Sequence, residues 1–570
     1  MQGPSFQRKK AISLLGVVLL ILMACLLISS MYEGFFLVFY GKRHVQFTLP
    51  TGIVLLLSLM LLTYSSLLYL ECRRPSFLIL GTSIGVLILL HEYTVPSLPP
   101  LAGLLYVAAT VYYHGDRRIT VSCSVLLLSV YTFMAFLSVI HYVSALTFKA
   151  RILSDLAQIE AMIFYAPGYN VSSLLALIIL YSWPLSLLTR LLPKFSDRWS
   201  RTPSMGRPHE RYPYYIIPLT ISPVLVMALA YLRQANKGIG VDYSYYVMAL
   251  EDVSGMNFPY LLSRQRSLYL ILSYMLYSLT GDTHCSVRLL TFVIAVLLAV
   301  VVFLSAKRLY GPYEGIWSMF SATFSPIFAA SMFAAIFSNW LALIPLYGFI
   351  ACLPDLVQLR KGHLLLGIVL SILVLLAHPW TWNILMASLL LLAISLYLRR
   401  RDLQKVYPLL IIVLINVAFD RLRLLAFGAG GLEVGEVTSR STLSLNNLYK
   451  FPLYIYLTFR YYLAGSFTDI PFLLMAFIGL IVIYRRGDIE GAFIRSWLLI
   501  SSLMFPFLSR GIHWRILYDI PFLLLAGVGL AYVTRSIQDT RLRHVIILSY
   551  VLSQVSYDLR VMSILPSQLS

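Results

Sequence analysis

The sequence predicts an all-α polytopic membrane protein with about 17 transmembrane helices, and three observations predict it. Of the 570 residues, 59% are hydrophobic and only 12% are charged, whereas soluble domains carry about 25% charged residues. Many apolar runs reach the roughly 20 residues that a helix needs to span a bilayer. Short basic clusters separate these runs, which is the distribution that the positive-inside rule describes.

The net charge of +20 raises nucleic-acid binding as an alternative. The basic residues lie between apolar runs, where membrane topology already explains them, so we expect no nucleic-acid partner. The five cysteines lie far apart, without metal or disulfide spacing. The N-terminus is basic like a signal peptide, but its apolar run is too long and lacks a small-residue cleavage site, so it is predicted to be the first membrane helix.

Hydropathy divides the predicted helices into an N-terminal group and a larger C-terminal group. The N-terminal helices are predicted near residues 11–30, 47–70, 76–91, 98–113, 119–147 and 172–192. The C-terminal helices are predicted near residues 213–232, 286–305, 315–333, 341–357, 363–378, 382–398, 405–419, 469–484, 493–508, 517–533 and 543–557.

Basic loops set the orientation of these helices. With a cytoplasmic N-terminus, every predicted inner loop carries basic residues, as the positive-inside rule requires. Examples are Lys307-Arg308, Arg360-Lys361 and Arg485-Arg486. Two Tyr-rich runs, 267–281 and 451–465, would reverse all following loops if they crossed the membrane. Because Tyr favours the interface, we expect both runs to lie at the outer surface or to be half-buried.

A polar, basic, Pro-containing linker at 193–212 divides the chain. We expect a six-helix membrane domain of unknown role at 1–192, this cytoplasmic linker, and a second membrane domain at 213–570. The second domain has two long outer loops, 233–285 and 420–468, and loops of this length in a compact domain are usually functional. The two parts show no internal repeat, so an inverted-repeat transporter has no support.

Acidic residues follow an apolar segment in "GIGVDYSYYVMALEDVSG", residues 238–255. Asp242 either caps the helix that follows it or serves a reaction, and the sequence leaves both interpretations open. In a helix, nine residues make two and a half turns, so Glu251 lies on the opposite side from Asp242. Tyr245, Tyr246 and Ala249 share the side of Asp242.

Other polar residues of the outer face also have two interpretations. Arg264 and Arg266 either bind a substrate or anchor to lipid headgroups. His378, beside Trp380, belongs either to a site or to an interfacial aromatic belt. Arg515 is more informative, because a cation on the outer side is not needed for orientation and a guanidinium suits a phosphate.

The order of motifs from residue 212 to about residue 350 resembles the opening of the GT-C glycosyltransferases. These motifs are "VDYSYYVMALEDVSG", "SRQRSLYLILSYMLYSLTG", "CSVRLLTFVIAVLL" and "AKRLYGPYEG". The late segment "HWRILYDIPFLLLAGVGLAYV" is similar to a late helix of that family, so the resemblance covers roughly residues 212–560. The family includes protein O-mannosyltransferases and aminoarabinose transferases, and the first 211 residues resemble nothing that we can name.

The sequence departs from the family pattern in two places. Where the family often has a second Asp in a Leu-Asp-Pro setting, this chain reads "IFSNWLAL", with Asn339. An Asp-x-Asp motif is also missing from the first outer loop, which weakens the case for the metal-dependent oligosaccharyltransferase branch. We therefore assign no cofactor from the sequence. A divalent metal stays an open alternative that no motif supports.

The resemblance implies an enzyme that transfers a sugar from a polyprenyl-phosphate-linked donor to a protein, glycan or lipid acceptor on the outer face. Asp242 would be the general base, and Arg264, Arg266 and Arg515 would bind the phosphate. The Gly-rich loop that carries Glu433 could close over the acceptor. The residues expected to bind substrate are Tyr245, Tyr246, Arg264, Arg266, Asn339, His378, Trp380, Glu433, His513, Arg515 and Tyr518.

Two alternatives to an enzyme remain at this point. A transporter is favoured by the many helices, but few charges lie in the middle of a helix, where transport pathways place them. A GT-C relative that binds lipid without catalysis is favoured by Asn339, because an amide cannot act as a base.

Overall fold

The computed structural model describes residues 51–72, 75–89, 117–148, 178–183, 242–253, 266–325, 336–400, 403–428, 470–508 and 516–569, with a few isolated residues between them. The long elements in these ranges are all helices, in agreement with the predicted all-α class. They are α1 (Thr51–Cys72), α2 (Pro75–Leu89), α3 (Arg117–Phe148), α4 (Tyr243–Val253), α5 (Ser267–Thr280), α6 (Thr283–Leu309), α7 (Pro312–Thr323), α8 (Phe337–Leu356), α9 (Lys361–Ala377), α10 (Pro379–Arg400), α11 (Leu403–Phe427), α12 (Ile470–Arg486), α13 (Ile489–Met504), α14 (Phe522–Ser536) and α15 (Thr540–Leu569).

Three of the described helices are long and apolar enough to cross a membrane. They are Thr283–Leu309, Phe337–Leu356 and Pro379–Leu398, at the positions of three predicted spans. The total of about 17 spans, the side of the membrane on which each loop lies, and the domain division at 193–212 remain predictions. The predicted helix at 213–232 lies outside the described residues.

Several helix ends differ from the predicted ones, and proline explains most of the differences. The helix predicted at 315–333 ends at Thr323. Ser325 precedes Pro326 in the sequence, and the residue before a proline disfavours helical geometry. The helix predicted at 517–533 is interrupted by Pro521 before α14 begins, because proline cannot donate an internal hydrogen bond. In contrast, α11 continues eight residues beyond its predicted end at 419.

The chain divides into two compact units. Unit 1 comprises Met1–Ser173 and Ser536–Ser556, and unit 2 comprises Leu174–Arg535 and Tyr557–Ser570. In unit 1, α1 and α2 pack closely: a Cβ placed on Gly81 would lie 1.8 Å from Oγ of Ser65. Also in unit 1, the Tyr131 hydroxyl on α3 donates to Ser553 Oγ on α15 over 2.6 Å.

Unit 2 packs its long helices against one another through small residues. Helix α6 packs on α7 and α8, α8 packs on α9, and α10 packs on α11 and α13. A Cβ on Gly479 of α12 would lie 1.9 Å from the carbonyl oxygen of Leu525, and one on Gly527 of α14 would lie 2.2 Å from Ser318 Oγ. Small residues allow this close approach of helix backbones, which stabilises membrane bundles by packing.

Residues predicted to occupy inner loops gather at one end of unit 2, which we call the basic end. Arg308 and Arg360 both pair with Asp355. Arg535 pairs with the buried Glu314. Arg486 Nη2 donates to the carbonyl of Leu309 over 3.3 Å. Helices α6 and α8 therefore end side by side here and begin together at the opposite end.

Candidate functional site

The opposite end of unit 2, which we call the polar end, is formed where α4, α5, α6, α8 and α10 begin and where α9 and α11 end. Hydrogen bonds connect these helix ends to one another. Gly281 ends α5 with a φ of 68°, a left-handed conformation that glycine adopts without strain. Asp282 then caps α6 by accepting the Cys285 N–H over 3.0 Å. This Gly-Asp pair turns the chain sharply, so that α5 and α6 pack as neighbours at the polar end.

Tyr246 is the centre of the hydrogen-bond network at the polar end, and its side chain is buried. Its hydroxyl donates to Ser338 Oγ over 3.1 Å and accepts the Ser338 backbone N–H over 3.2 Å. Ser338 is the second residue of α8, where backbone N–H groups have no partner within the helix. Tyr246 therefore caps α8 from α4 and fixes the position of both.

Arg266 completes this network from the start of α5. Its Nη1 donates to the Tyr246 hydroxyl over 3.3 Å. Its guanidinium carbon lies 5.1 Å from the ring centroid of Tyr245 and 5.7 Å from that of Tyr246. A guanidinium at these distances from ring centroids is attracted by their electron-rich faces. Arg266 is therefore held in one place rather than extended freely toward lipid.

The rings around Tyr246 form an aromatic floor beneath these polar groups. The Tyr246 and Tyr269 centroids lie 4.4 Å apart, and the Tyr246 and Phe337 centroids lie 5.5 Å apart. Tyr269 and Phe337 are fully buried. Aromatic pairs at such distances stabilise a packing arrangement beyond the area that they bury.

Asp242 is half-buried and immediately precedes α4. Its backbone carbonyl accepts the Tyr246 N–H over 3.4 Å. Among the residues that the structure describes, none donates a hydrogen bond to its carboxylate, so the capping interpretation lacks its bond. Glu251 and Asp252 are exposed at the other end of α4, whereas Tyr246 is buried.

Tyr243, the residue after Asp242, contacts the start of α6. Its hydroxyl lies 3.1 Å from His284 Nδ1, and the two rings stack with centroids 5.8 Å apart. Burial raises the pKa of Tyr243 above its ordinary value, and a hydrogen bond with Arg288 opposes the rise. Tyr243 therefore stays a neutral phenol at physiological pH and attaches α4 to α6.

Arg423 holds the turn that carries the two candidate phosphate-binding arginines. Its Nε donates to the carbonyl of Leu262 over 3.2 Å, and its Nη2 donates to the carbonyl of Arg264 over 3.1 Å. Arg423 and Asp420 are only 3% and 1% exposed, and the carboxylate of Asp420 attracts the guanidinium from three residues earlier on α11. This pair explains why α11 continues past its predicted end: its polar residues are buried against the turn.

A second polar network joins α9, α10 and the segment before α14. His378 Nδ1 lies 2.8 Å from Thr381 Oγ1, which donates to Asp519 Oδ1 over 2.8 Å. All three side chains are buried. The network lies near Arg266, because Ser267 Oγ, on the next residue, donates to the carbonyl of Leu376 over 3.5 Å.

Two predicted substrate-binding residues have buried nitrogen atoms. Asn339 is 2% exposed and Trp380 is 6% exposed. Neither Asn339 Nδ2 nor Trp380 Nε1 has a hydrogen-bond acceptor among the described residues. Buried donors are usually paired, so these two groups are suited to contact a polar ligand.

The structure thus brings together many of the predicted site residues. Tyr245, Tyr246 and Arg266 are in direct contact, and Tyr518 is buried beside Asp519. The predicted residues Glu433, His513 and Arg515 lie outside the described residues. Within the described ranges, no group of three or more His, Cys, Asp or Glu side chains is placed to hold a metal ion.

Sequence reasoning assigned no role to four residues that organise this end: Ser338, Thr381, Asp420 and Arg423. Ser338 stands next to the predicted residue Asn339 in the sequence, but only the fold shows that Ser338 contacts Tyr246. One signal in the sequence could have identified Asp420 and Arg423. Their opposite charges stand three residues apart, so a helix that continues through them places both on one face.

Replacing Tyr246 with Phe tests the network. The variant keeps the ring but removes the hydroxyl, so the Ser338 N–H and Arg266 lose their acceptor. We expect thermal unfolding in detergent to show a loss of about 1–3 kcal/mol, together with weaker binding of a polyprenyl phosphate. Tyr245→Phe is the matched control, because that ring is 39% exposed and retains its face toward Arg266. Equal effects of the two variants would contradict the central role of Tyr246.

Comparisons with known proteins find similarity to solved structures. No protein-family model matches the chain, and no curated protein matches it. The chain is similar to the crystal structure of ArnT from Cupriavidus metallidurans bound to undecaprenyl phosphate, with 13% sequence identity and a TM-score of 0.46. The match covers 62% of this chain and 77% of that one.

Proposed function

We propose that the polar end of unit 2 transfers a sugar from a polyprenyl-phosphate-linked donor to an acceptor hydroxyl at the outer membrane surface. The observation that carries this proposal is that a carboxylate and a guanidinium both lie at the first turn of α4. Asp242 offers a carboxylate to which no described residue donates a hydrogen bond. Tyr246, four residues later, holds the Arg266 guanidinium.

The carboxylate of Asp242 is suited to activate the acceptor hydroxyl. As the acceptor oxygen attacks the anomeric carbon, its proton moves to Asp242. General-base assistance of this kind contributes typically about 10²–10⁴-fold in rate. The stacked aromatic rings of α4, α5 and α8 limit the access of water from one side, which strengthens electrostatic interactions at the site.

Arg264 and Arg266 are suited to bind the phosphate of the donor. A guanidinium binds phosphate oxygens bidentately, and Arg266 is already oriented by two rings and one hydroxyl. Arg264 lies two residues earlier on the turn that Arg423 holds. The prenyl tail would lie among membrane lipids or between helices, and the acceptor would be a protein, a glycan or another lipid.

Arg266→Gln tests the donor site. We expect binding of a polyprenyl phosphate to the protein in nanodiscs to weaken about 10–100-fold, because a charge-assisted hydrogen bond contributes about 1.5–3 kcal/mol. Arg485→Gln is the control, since it removes the same charge from an exposed position at the basic end. Unchanged affinity in Arg266→Gln, or an equal loss in both variants, would refute a phosphate site at Arg266.

Turnover separates an enzyme from the two alternatives. Vesicles that contain the protein and a panel of labelled polyprenyl-phosphate sugars are assayed for released polyprenyl phosphate. Donor-dependent release supports the transferase. Binding without release across the panel would favour the non-catalytic lipid-binding alternative, and movement of labelled donor across the bilayer without cleavage would favour transport.

A further inference from the structure

The buried trio of His378, Thr381 and Asp519, which we call the His378 relay, has no role in the chemistry described so far. The three side chains are 1%, 0% and 0% exposed. His378 separates α9 from α10, Thr381 lies in the first turn of α10, and Asp519 comes from the segment before α14. Two ionisable side chains buried at the polar end of a membrane bundle are costly in free energy and mark a function more often than a structural need.

The hydrogen bonds relate the protonation of His378 to that of its neighbours. The single hydroxyl proton of Thr381 is donated to Asp519. The 2.8 Å contact between Thr381 Oγ1 and His378 Nδ1 is then attractive only if Nδ1 carries a hydrogen and donates it to Oγ1. In the neutral tautomer that carries its hydrogen on Nε2, Nδ1 instead accepts the Thr381 backbone N–H over 3.4 Å. Thr381 contacts His378 through Nδ1, and in the imidazolium the second ring nitrogen, Nε2, carries a hydrogen as well.

The charges favour a proton there. A buried carboxylate costs several kcal/mol unless a cation compensates it. An imidazolium at His378 compensates Asp519 through the Thr381 hydroxyl, in the way that a buried carboxylate stabilises an imidazolium in hydrolases. Because imidazole ionises near neutral pH, the relay can load and release this proton under physiological conditions.

The relay lies close to the proposed phosphate site. Leu376, two residues before His378, accepts a hydrogen bond from Ser267, the neighbour of Arg266. Trp380, two residues after His378, has a buried indole N–H without an acceptor among the described residues. A phosphate held by Arg266 would therefore lie beside a segment that carries both a proton source and an N–H donor.

We propose that His378, held by Thr381 and Asp519, donates the Nε2 proton to the phosphate that leaves the sugar. This inference rests on the proposed function and deepens it by assigning a proton donor to the leaving group. Thr381 and Asp519 are positioning residues, because they act through the imidazole.

The acceptor oxygen forms its bond to the anomeric carbon while the bond from that carbon to the phosphate oxygen breaks, and the bonding pair stays on the phosphate. The acceptor proton moves to Asp242, and the Nε2 proton moves to the phosphate, which leaves as a monoanion instead of a dianion. After release, Asp242 returns its proton to water and His378 takes one from water, which restores both groups.

The pH dependence of the His378 relay also reflects the charged groups around it. Helices α9 and α10 pack against α5, α8, α11 and α13. The charged or titratable groups at the polar ends of these elements and beside Asp519 are Arg266, Tyr269, Asp420, Arg423 and Tyr518. Arginine and tyrosine side chains keep their protonation state between pH 5.5 and 8.5, whereas histidine ordinarily ionises in this range. The polar end holds His284 as well as His378, so a variant of each is needed.

The test uses the full chain in nanodiscs and a methyl diester of a polyprenyl phosphate. A phosphodiester does not titrate between pH 5.5 and 8.5, so any pH dependence of its binding belongs to the protein. We expect the diester to bind at least about tenfold more weakly at pH 8.5 than at pH 5.5, because the imidazolium donor is lost as pH rises. His378→Gln should bind weakly and equally at both pH values.

Matched variants separate the relay from general damage. His284→Gln removes the other histidine of the polar end, which stacks on Tyr243, and should keep the pH dependence. Asp519→Asn should move the midpoint to lower pH, because the imidazolium loses its carboxylate. Thr381→Val should do the same and Thr381→Ser should restore the wild-type midpoint. Dimethyl phosphate, which lacks the tail, should compete weakly if the site takes a lipid phosphate and as strongly as the lipid if it takes any phosphate.

The outcomes are distinguishable from failure of the proposed function. If the diester does not bind at any pH, the lipid-phosphate site itself is wrong. If the diester binds and His378→Gln retains the wild-type pH dependence, the phosphate site stands and the relay proposal is overturned. In the transfer assay, the rate should fall above the same midpoint in the wild type, and a profile that His378→Gln does not flatten would also overturn the proposal.

Discussion

Asp242→Asn is expected to lower the rate of sugar transfer about 10²–10⁴-fold, the range that a general base contributes. The amide has almost the same shape as the carboxylate but cannot accept the acceptor proton. The described residues donate no hydrogen bond to this carboxylate, so its replacement should leave thermal unfolding and the binding of a polyprenyl phosphate unchanged. The measurement is the initial rate of transfer in vesicles, with binding measured on the same preparation.

Two neighbouring acids serve as controls for Asp242. Glu251 and Asp252 are exposed at the far end of α4, so Glu251→Gln and Asp252→Asn should transfer sugar at the wild-type rate. Asp242→Ala separates catalysis from helix capping, because asparagine is as good a cap as aspartate whereas alanine is not. Full activity in Asp242→Asn would remove this residue from the mechanism, and loss of activity in the Glu251 variant would place the base elsewhere.

Much of the helical framework could be predicted from the sequence, because apolar length alone identifies a membrane helix. Helices α6, α8 and α10 lie where hydropathy predicted them. The helix ends could not be predicted equally well. Hydropathy treats Asp420 and Arg423 as the start of a loop, although both are buried, because their charges compensate each other only in the folded chain.

The candidate site was predictable in its residue types more than in its contacts. The Tyr-rich stretch after Asp242 and the basic step at Arg264 and Arg266 indicated a polar site. The contact between Tyr246 and Ser338 joins residues 92 positions apart. The contact between Thr381 and Asp519 joins residues 138 positions apart. Such pairs depend on the rotation of each helix against its neighbours, which the period of a single uniformly apolar helix does not reveal.

Replacement of Arg423 with Met is expected to have the largest effect on stability. The variant removes two hydrogen bonds to the turn at Leu262 and Arg264 and the positive charge that the carboxylate of Asp420 attracts. A hydrogen bond from a charged donor contributes about 1.5–3 kcal/mol, so the loss of two should cost about 3–6 kcal/mol. Thermal unfolding in detergent should show this loss. Binding of a polyprenyl phosphate should weaken as well, because the turn that presents Arg266 is no longer held.

Two further variants separate the effect of Arg423 on stability from its effect on binding of a polyprenyl phosphate. Arg421→Met removes the same charge from an exposed position of the same helix, so it should leave both stability and binding close to the wild type. The double variant Asp420→Asn/Arg423→Met also removes the buried negative charge that attracts Arg423 and should recover part of the stability. Binding should stay weak in the double variant, because the hydrogen bonds to the turn are still missing. Recovery of binding together with stability would mean that Arg423 acts only on the fold and does not position Arg266.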